Sequence, residues 1–187
     1  CDDGTTDDAN NANNTNNVNN VNNVNNLNNT NNVNNTNNQG SDEPHVLAIN
    51  MHDGTVLKFD LINYTAGPSE ERCDFGFIET ALGPTLALCP GVSAYNMGNG
   101  LGFYEVAAAP TDVTYREDAS GDYAIGTSWF DSGSCETGYV LNANIYALHL
   151  ADGSYAKIEI ISAGGGPVAV RCHRQPDGPA DLTTPAP

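Results

Sequence analysis

The sequence predicts an all-β protein: a single antiparallel, sandwich-like domain preceded by an Asn-rich low-complexity arm. Three observations carry that prediction. Apolar and polar residues alternate over short runs, as in Val46 to Ile49, Thr55 to Ile62 and Lys157 to Ile161, and Asp-Gly or Gly-rich turns bound the runs. No stretch sustains an apolar stripe at helical spacing; residues 74 to 88 (DFGFIETALGPTLAL) are ambiguous, and Pro84 interrupts them. Before position 40 the chain has almost no core-forming residues, because positions 10 to 39 repeat the triplet Asn-Asn-X.

A length of 187 residues suits one domain plus a tail better than two domains. Hydrophobic residues make up only 39%, so one modest core is expected, after the arm. The chain therefore divides into an acidic start (1–9), the triplet arm (10–39), a β domain (44–175) and a Pro-rich tail (176–187).

The acidic start opens on Cys1 and runs CDDGTTDD. A Cys followed by a polar, flexible, acidic stretch resembles the mature end of a bacterial lipoprotein, whose first cysteine carries the lipid. Lipidation of Cys1 is the expectation, with a membrane as partner through that lipid; a disulfide between chains is the alternative.

The arm is an unbroken run of ten triplets, and its X positions include Val18, Val21, Val24, Leu27 and Val33. A strand would place successive X residues on alternate faces, and an α-helix would wind them around its axis. A form with three residues per turn puts every X on one edge. Asn tolerates turn conformations and forms side-chain ladders when like segments stack. The plain reading is a solvated spacer. Burying five apolar side chains returns about 2 kcal/mol each, which cannot order thirty residues at about 1 kcal/mol or more apiece. An ordered arm must therefore be held by its own domain or by neighbouring copies. At about 3.1 Å per residue it reaches about 90 Å, far enough to cross more than one neighbour. The expectation is a non-catalytic structural subunit of an extracellular filament, a homopolymer whose partner is itself.

Acids outnumber bases 23 to 6, which repels phosphate backbones and argues against nucleic acid. Cys73, Cys89, Cys135 and Cys172 fall in the β domain without CxxC or zinc-finger spacing, so no metal site is expected. Two disulfides suit an exported β domain. Of the three pairings, Cys73 with Cys89 and Cys135 with Cys172 staple neighbouring segments.

Two segments share one pattern: VLAINMHDGTVLKFDLI (46–62) and IYALHLADGSYAKIEII (145–161). Asp53-Gly54 and Asp152-Gly153 each predict a hairpin, with Lys58 and Lys157 at matching places after the turn. Edge protection and solubility account for those lysines.

The stretch AIGTSWFDSG (124–133), followed by IYALHLADGSYAKIEIIS (145–162), resembles the C-terminal part of the HmuY-like surface lipoproteins. CDFGFIETALG (73–83) and the earlier hairpin match that family's N-terminal half more loosely. The resemblance covers about 120 residues. It implies an antiparallel all-β fold, export to the bacterial surface, a lipid on Cys1 and haem capture through paired axial ligands. The likeness does not assign that pair; His45, His52, His149, His173, Tyr95 and Met97 are the candidates. Haem is thus the alternative to a cofactor-free structural protein.

Catalytic signatures are missing: no GxSxG, HExxH, phosphate-binding loop or suitably spaced carboxylate pair occurs. The Gly-rich run 98–102 precedes no helical pattern, which argues against a dinucleotide loop.

Overall fold

Neighbouring side chains on a strand point to opposite faces, and one sheet of this protein is buried on both. The computed structural model describes residues 43–50, 57–67, 72–80, 83–134, 137–164, 167–175 and 181–185. Its strands are β1 (His45–Asn50), β2 (Leu57–Asp60), β3 (Thr65–Gly67), β4 (Phe75–Thr80), β5 (Gly83–Leu88), β6 (Ser93–Gly98), β7 (Phe130–Ser134), β8 (Gly138–Leu141), β9 (Ile145–His149), β10 (Tyr155–Ser162) and β11 (Pro167–Gln175). Among the described residues one 3-10 turn occurs, at Phe103–Glu105. All strand pairs are antiparallel.

A five-stranded sheet runs β1-β11-β10-β9-β6, a four-stranded sheet runs β3-β2-β4-β5, and β7 pairs with β8. Tyr146, Leu148, Ile158 and Val170 from the first sheet share one core with Phe59, Phe75, Phe77 and Leu86 from the second. Within it Phe59 stacks on Phe75 at 4.7 Å between ring centroids, and Phe77 meets Trp129 edge-on at 5.7 Å. On its other face the five-stranded sheet offers Ile145 and Ala147, which pack with Phe103, Val106, Ala109 and Leu182. The segment after β6 and the C-terminal segment 181–185 therefore cover the outer face. Leu182 is buried there and donates its N–H to Ala107 O at 2.8 Å, so these five residues belong to the fold rather than to a tail.

The two Asp-Gly segments take different courses. Residues 145–161 form the expected hairpin, β9 paired with β10. The earlier segment does not: β1 pairs with β11, whereas β2 lies in the other sheet between β3 and β4. Alternation specifies a buried face but not which strand completes the ladder, and β1 finds its partner in the nine-residue β11, whose Val168, Val170 and Cys172 are buried. Edge protection also fails for both lysines, since β2 and β10 are interior strands and Lys157 is fully buried. The ambiguous 74–88 stretch is the β4–β5 pair, with Pro84 on the edge strand, where a missing N–H is tolerated.

Cys73 and Cys89 form the expected disulfide, their Cα atoms 5.8 Å apart. Cys172 does not form the second one: it is a buried free thiol in the core, on β11 between β1 and β10, with Sγ facing His45 O at 3.6 Å. Its side chain points into a wall of apolar residues, and it behaves there as a small hydrophobe. Its expected partner Cys135, together with Cys1, His52 and the arm residues Val18, Val21, Val24, Leu27 and Val33, lies outside the described residues.

Candidate functional site

The outer face of the five-stranded sheet is ordered in rows by its register. One row reads Ser93, His149, Tyr155, Gln175, and the next reads Tyr95, Ala147, Lys157, His173. This places His149, Tyr155 and Tyr95 on adjacent strands of the same face.

A tight turn presents the first two. Leu150 N–H donates to Ser154 O at 2.9 Å, and Gly153 adopts φ +85° at the tip. Asp152 Oδ1 accepts from Ser154 N and Oγ at 3.0 and 2.6 Å, and its Oδ2 accepts from Arg174 at 2.8 Å. Desolvation pushes the Asp152 carboxyl up, but the Ser154 bonds and then Arg174 outweigh it and bring it down to about 2. The turn is thereby fixed, and across its base the His149 and Tyr155 rings lie 4.8 Å apart.

Tyr115 completes the cluster from the long segment between β6 and β7. Its neighbour Arg116 exchanges both backbone hydrogen bonds with Ala94 of β6, at 2.8 and 2.9 Å. That bridge sets Tyr115 among Tyr155 at 5.9 Å, Tyr95 at 6.2 Å and His149 at 6.3 Å between ring centroids. The four rings are partly exposed. The Tyr115 hydroxyl oxygen, by contrast, is buried and has no hydrogen-bond partner among the described residues. Burial, then the neighbouring Tyr155 and Tyr95, push this phenol up to about 12. A bulge between Asn96 and Gly98 interrupts β6, and Met97 packs against the same outer layer.

Of the six candidate ligands, the structure gathers Tyr95 and His149 here, and Met97 packs on the neighbouring outer core. His45 is remote, stacked on Tyr64 at 3.6 Å where β1 meets β3, and burial lowers its imidazole against a smaller upward pull from Glu43. His173 shares the outer face but is buried beneath the C-terminal segment, beside Lys157. Tyr115 and Tyr155 were not among the sequence candidates. Tyr155 could have been found from its parity with Lys157 in the hairpin, whereas Tyr115 sits in a segment with no periodicity to place it.

Lys157 borders this cluster and is 0% exposed. Its ammonium donates to Phe103 O and Val106 O at 2.8 Å each and to Thr184 Oγ1 at 3.0 Å, and it lies 4.6 Å from the Phe103 ring centre. All three donors are used, so it fastens the covering segments and offers nothing to a ligand. Among the described residues no group of three or more His, Cys, Asp and Glu side chains could hold a metal ion.

No family model matches the sequence, and no curated protein matches it. A solved structure does match the fold: a Bacteroides vulgatus protein described as HmuY-like and heme-binding, 15% identical, with a TM-score of 0.52. The match covers 70% of this chain and 91% of that one.

Proposed function

We propose that this chain is a haem-binding protein of the bacterial cell surface, with the outer-face cluster as its ligand site. The observation that carries the reading is the donor set. An imidazole (His149) and three phenols (Tyr95, Tyr115, Tyr155) converge on one sheet face, with the Met97 thioether on the same outer layer, and these are side-chain types that serve haem iron as ligands. The Tyr115 hydroxyl, buried and without a hydrogen-bond partner among the described residues, would find one in such a group. The description of the Bacteroides vulgatus structure supports the same reading, and a disulfide suits an oxidising, extracytoplasmic setting.

His149 would hold the iron through its imidazole, oriented by the Asp152-fixed turn, and Tyr95 and Tyr155 would offer aromatic contacts to an apolar group. When bound, haem would supply a redox-active iron and a large apolar surface. The protein's part is to bind, orient and shield it, which is a carrier's role. Haemin titrated into purified protein should sharpen the Soret band, and His149→Ala should weaken binding by about 10- to 100-fold. A wild-type protein that leaves the haemin spectrum unchanged ends this reading.

A second reading concerns the triplet arm, whose strict period is itself the observation behind it. Here the arm packs against neighbouring copies and links them into a surface filament. Light scattering of the full chain against one lacking residues 10–39 tests this, and equal assembly by both dismisses it.

A further inference from the structure

We propose that the Cys73–Cys89 disulfide is a redox control on the outer-face site: it clamps the turn that presents His149 and Tyr155, and its reduction frees that turn. As a control on ligand binding this rests on the haem reading above, whereas the clamp itself rests on geometry alone. Both flanks of the bridge touch the turn. Arg72, next to Cys73, brings Nη2 to 3.9 Å from Asp152 Oδ2 and to 3.4 Å from Asp74 Oδ1, and its Nε lies 3.5 Å from Asp60 Oδ1. Asp60 and Asp74 are each 1% exposed, so the guanidinium is set among three carboxylates, of which Asp152 belongs to the turn. On the other flank Val92 N donates to Cys89 O at 3.1 Å, and this short loop lays Gly91 on the turn: at its φ of +80°, an added Cβ would lie 3.2 Å from Ala151 Cβ. Ser93 follows at once, paired with His149.

Beyond Phe75–Leu88, the last β4–β5 pair, the described ties between the two flanks are the disulfide and one backbone hydrogen bond, Cys89 N to Asp74 O at 3.1 Å. Both cysteines are half-buried rather than enclosed, which leaves the bridge open to a dithiol reductant. In that exchange a thiolate of the reductant attacks one sulfur, the Cys73–Cys89 bond breaks as a mixed disulfide forms, and the reductant's second thiolate closes its own disulfide. The protein gains two electrons and two protons and ends with two thiols. A single hydrogen bond then holds the flanks, Arg72 and Gly91 withdraw from Asp152 and Ala151, and the turn loosens. Such coupling is reciprocal, so a bound ligand makes the bridge harder to reduce.

Amide hydrogen exchange is followed by NMR in ligand-free protein, oxidised and after dithiothreitol, and in Cys73→Ala/Cys89→Ala. The Leu150 and Gly153 amides, whose hydrogen bonds close the turn, should exchange at least about tenfold faster after reduction, while Tyr139 on the β7–β8 hairpin changes by less than about twofold. The double variant should show the fast rates from the start and no response to dithiothreitol. Haemin should bind the double variant at least about tenfold more weakly than the wild type. Turn amides that stay slow after reduction, or an equal acceleration at Tyr139, overturn the clamp. A loosened turn with unchanged haemin affinity overturns the control while the haem reading stands. Failure of the wild type to bind haemin removes that reading and the control with it, whereas the exchange rates still decide the clamp.

Discussion

Lys157 reaches from the middle of the five-stranded sheet to Thr184, its Nζ 3.0 Å from the Thr184 hydroxyl, and so ties the C-terminal segment across the outer face. Because the same ammonium also binds the Phe103 and Val106 carbonyls, one side chain closes two separate covering segments. Lys157→Ala would leave three buried polar groups without a donor beside a cavity, and a loss of about 3–5 kcal/mol is expected in urea unfolding. Lys157→Met, which keeps the volume, should cost about 1–3 kcal/mol. In a double-mutant cycle, Lys157→Met and Thr184→Val should fall short of additivity by about 0.5 kcal/mol or more. Strict additivity would show that the 3.0 Å contact carries no energy.

The same lysine gives stability a pH dependence of definite sign. Burial lowers its folded value to about 8 from the ordinary 10.5. Between those values the unfolded chain holds a proton that the folded chain has released, so stability rises with pH across that window. Below about pH 8 both states are protonated and the contribution is flat. Relative to Lys157→Met, the wild-type urea midpoint should climb from about pH 8 to about pH 10, and parallel profiles for the two proteins would contradict this.

How far the sequence reveals this molecule varies with the range of the interaction. The β class, the β9–β10 hairpin and the Cys73–Cys89 bridge depend on residues close in sequence, and all three are readable from alternation, Asp-Gly and spacing. The split of β1 and β2 between two sheets depends on β11, more than 100 residues away, and no local pattern names that partner. Lys157 and Lys58 look alike in their two segments, yet only the covering segments around Phe103 and Thr184 make Lys157 a buried fastener. The site was half legible for the same reason: Tyr95, Met97 and His149 sit on strands, whereas Tyr115 is positioned by a bridge to Ala94.

Cys172 should be chemically silent in the native state. It is 0% exposed, and burial raises its thiol far above the ordinary range, so almost no reactive thiolate exists. Iodoacetamide followed by peptide mass mapping should leave Cys172 unmodified in buffer and label it fully in urea. Reduction of Cys73–Cys89, which spans 16 residues, should cost about 3 kcal/mol. Native labelling of Cys172 would show that β11 opens without global unfolding.

Asp152 should dominate the acid response of the site. Its folded value of about 2 lies below the ordinary 3.8, so its stabilisation is complete above pH 3.8 and disappears as pH falls through 2. Asp152→Asn should cost about 1–2 kcal/mol at neutral pH, since it weakens the Arg174 and Ser154 contacts, and should flatten the acid limb of the stability profile. It should also weaken haemin binding, because the turn that it fixes presents both His149 and Tyr155. Unchanged binding alongside lost stability would separate the turn from the site.

Gly164 tests how the β7–β8 hairpin is seated. It adopts φ +85°, and a Cβ there would lie 2.6 Å from Gly138 Cα and 3.2 Å from Ser134 O, both backbone atoms of that hairpin. The hairpin in turn holds Phe130 and Tyr139 against Trp129, at 4.6 and 5.4 Å between ring centroids. Gly164→Ala must therefore push the hairpin away from Trp129, at a cost of about 2–4 kcal/mol. Gly153 has the same φ of +85°, but a methyl group added there would meet nothing within 4 Å, so Gly153→Ala isolates the backbone cost. That cost is about 1 kcal/mol. Trp129 is the chain's single tryptophan, and its fluorescence reports the seating directly. Its emission should shift to the red in Gly164→Ala and stay unchanged in Gly153→Ala. Equal stability and equal emission in both variants would mean that the hairpin is not wedged against residues 163–164.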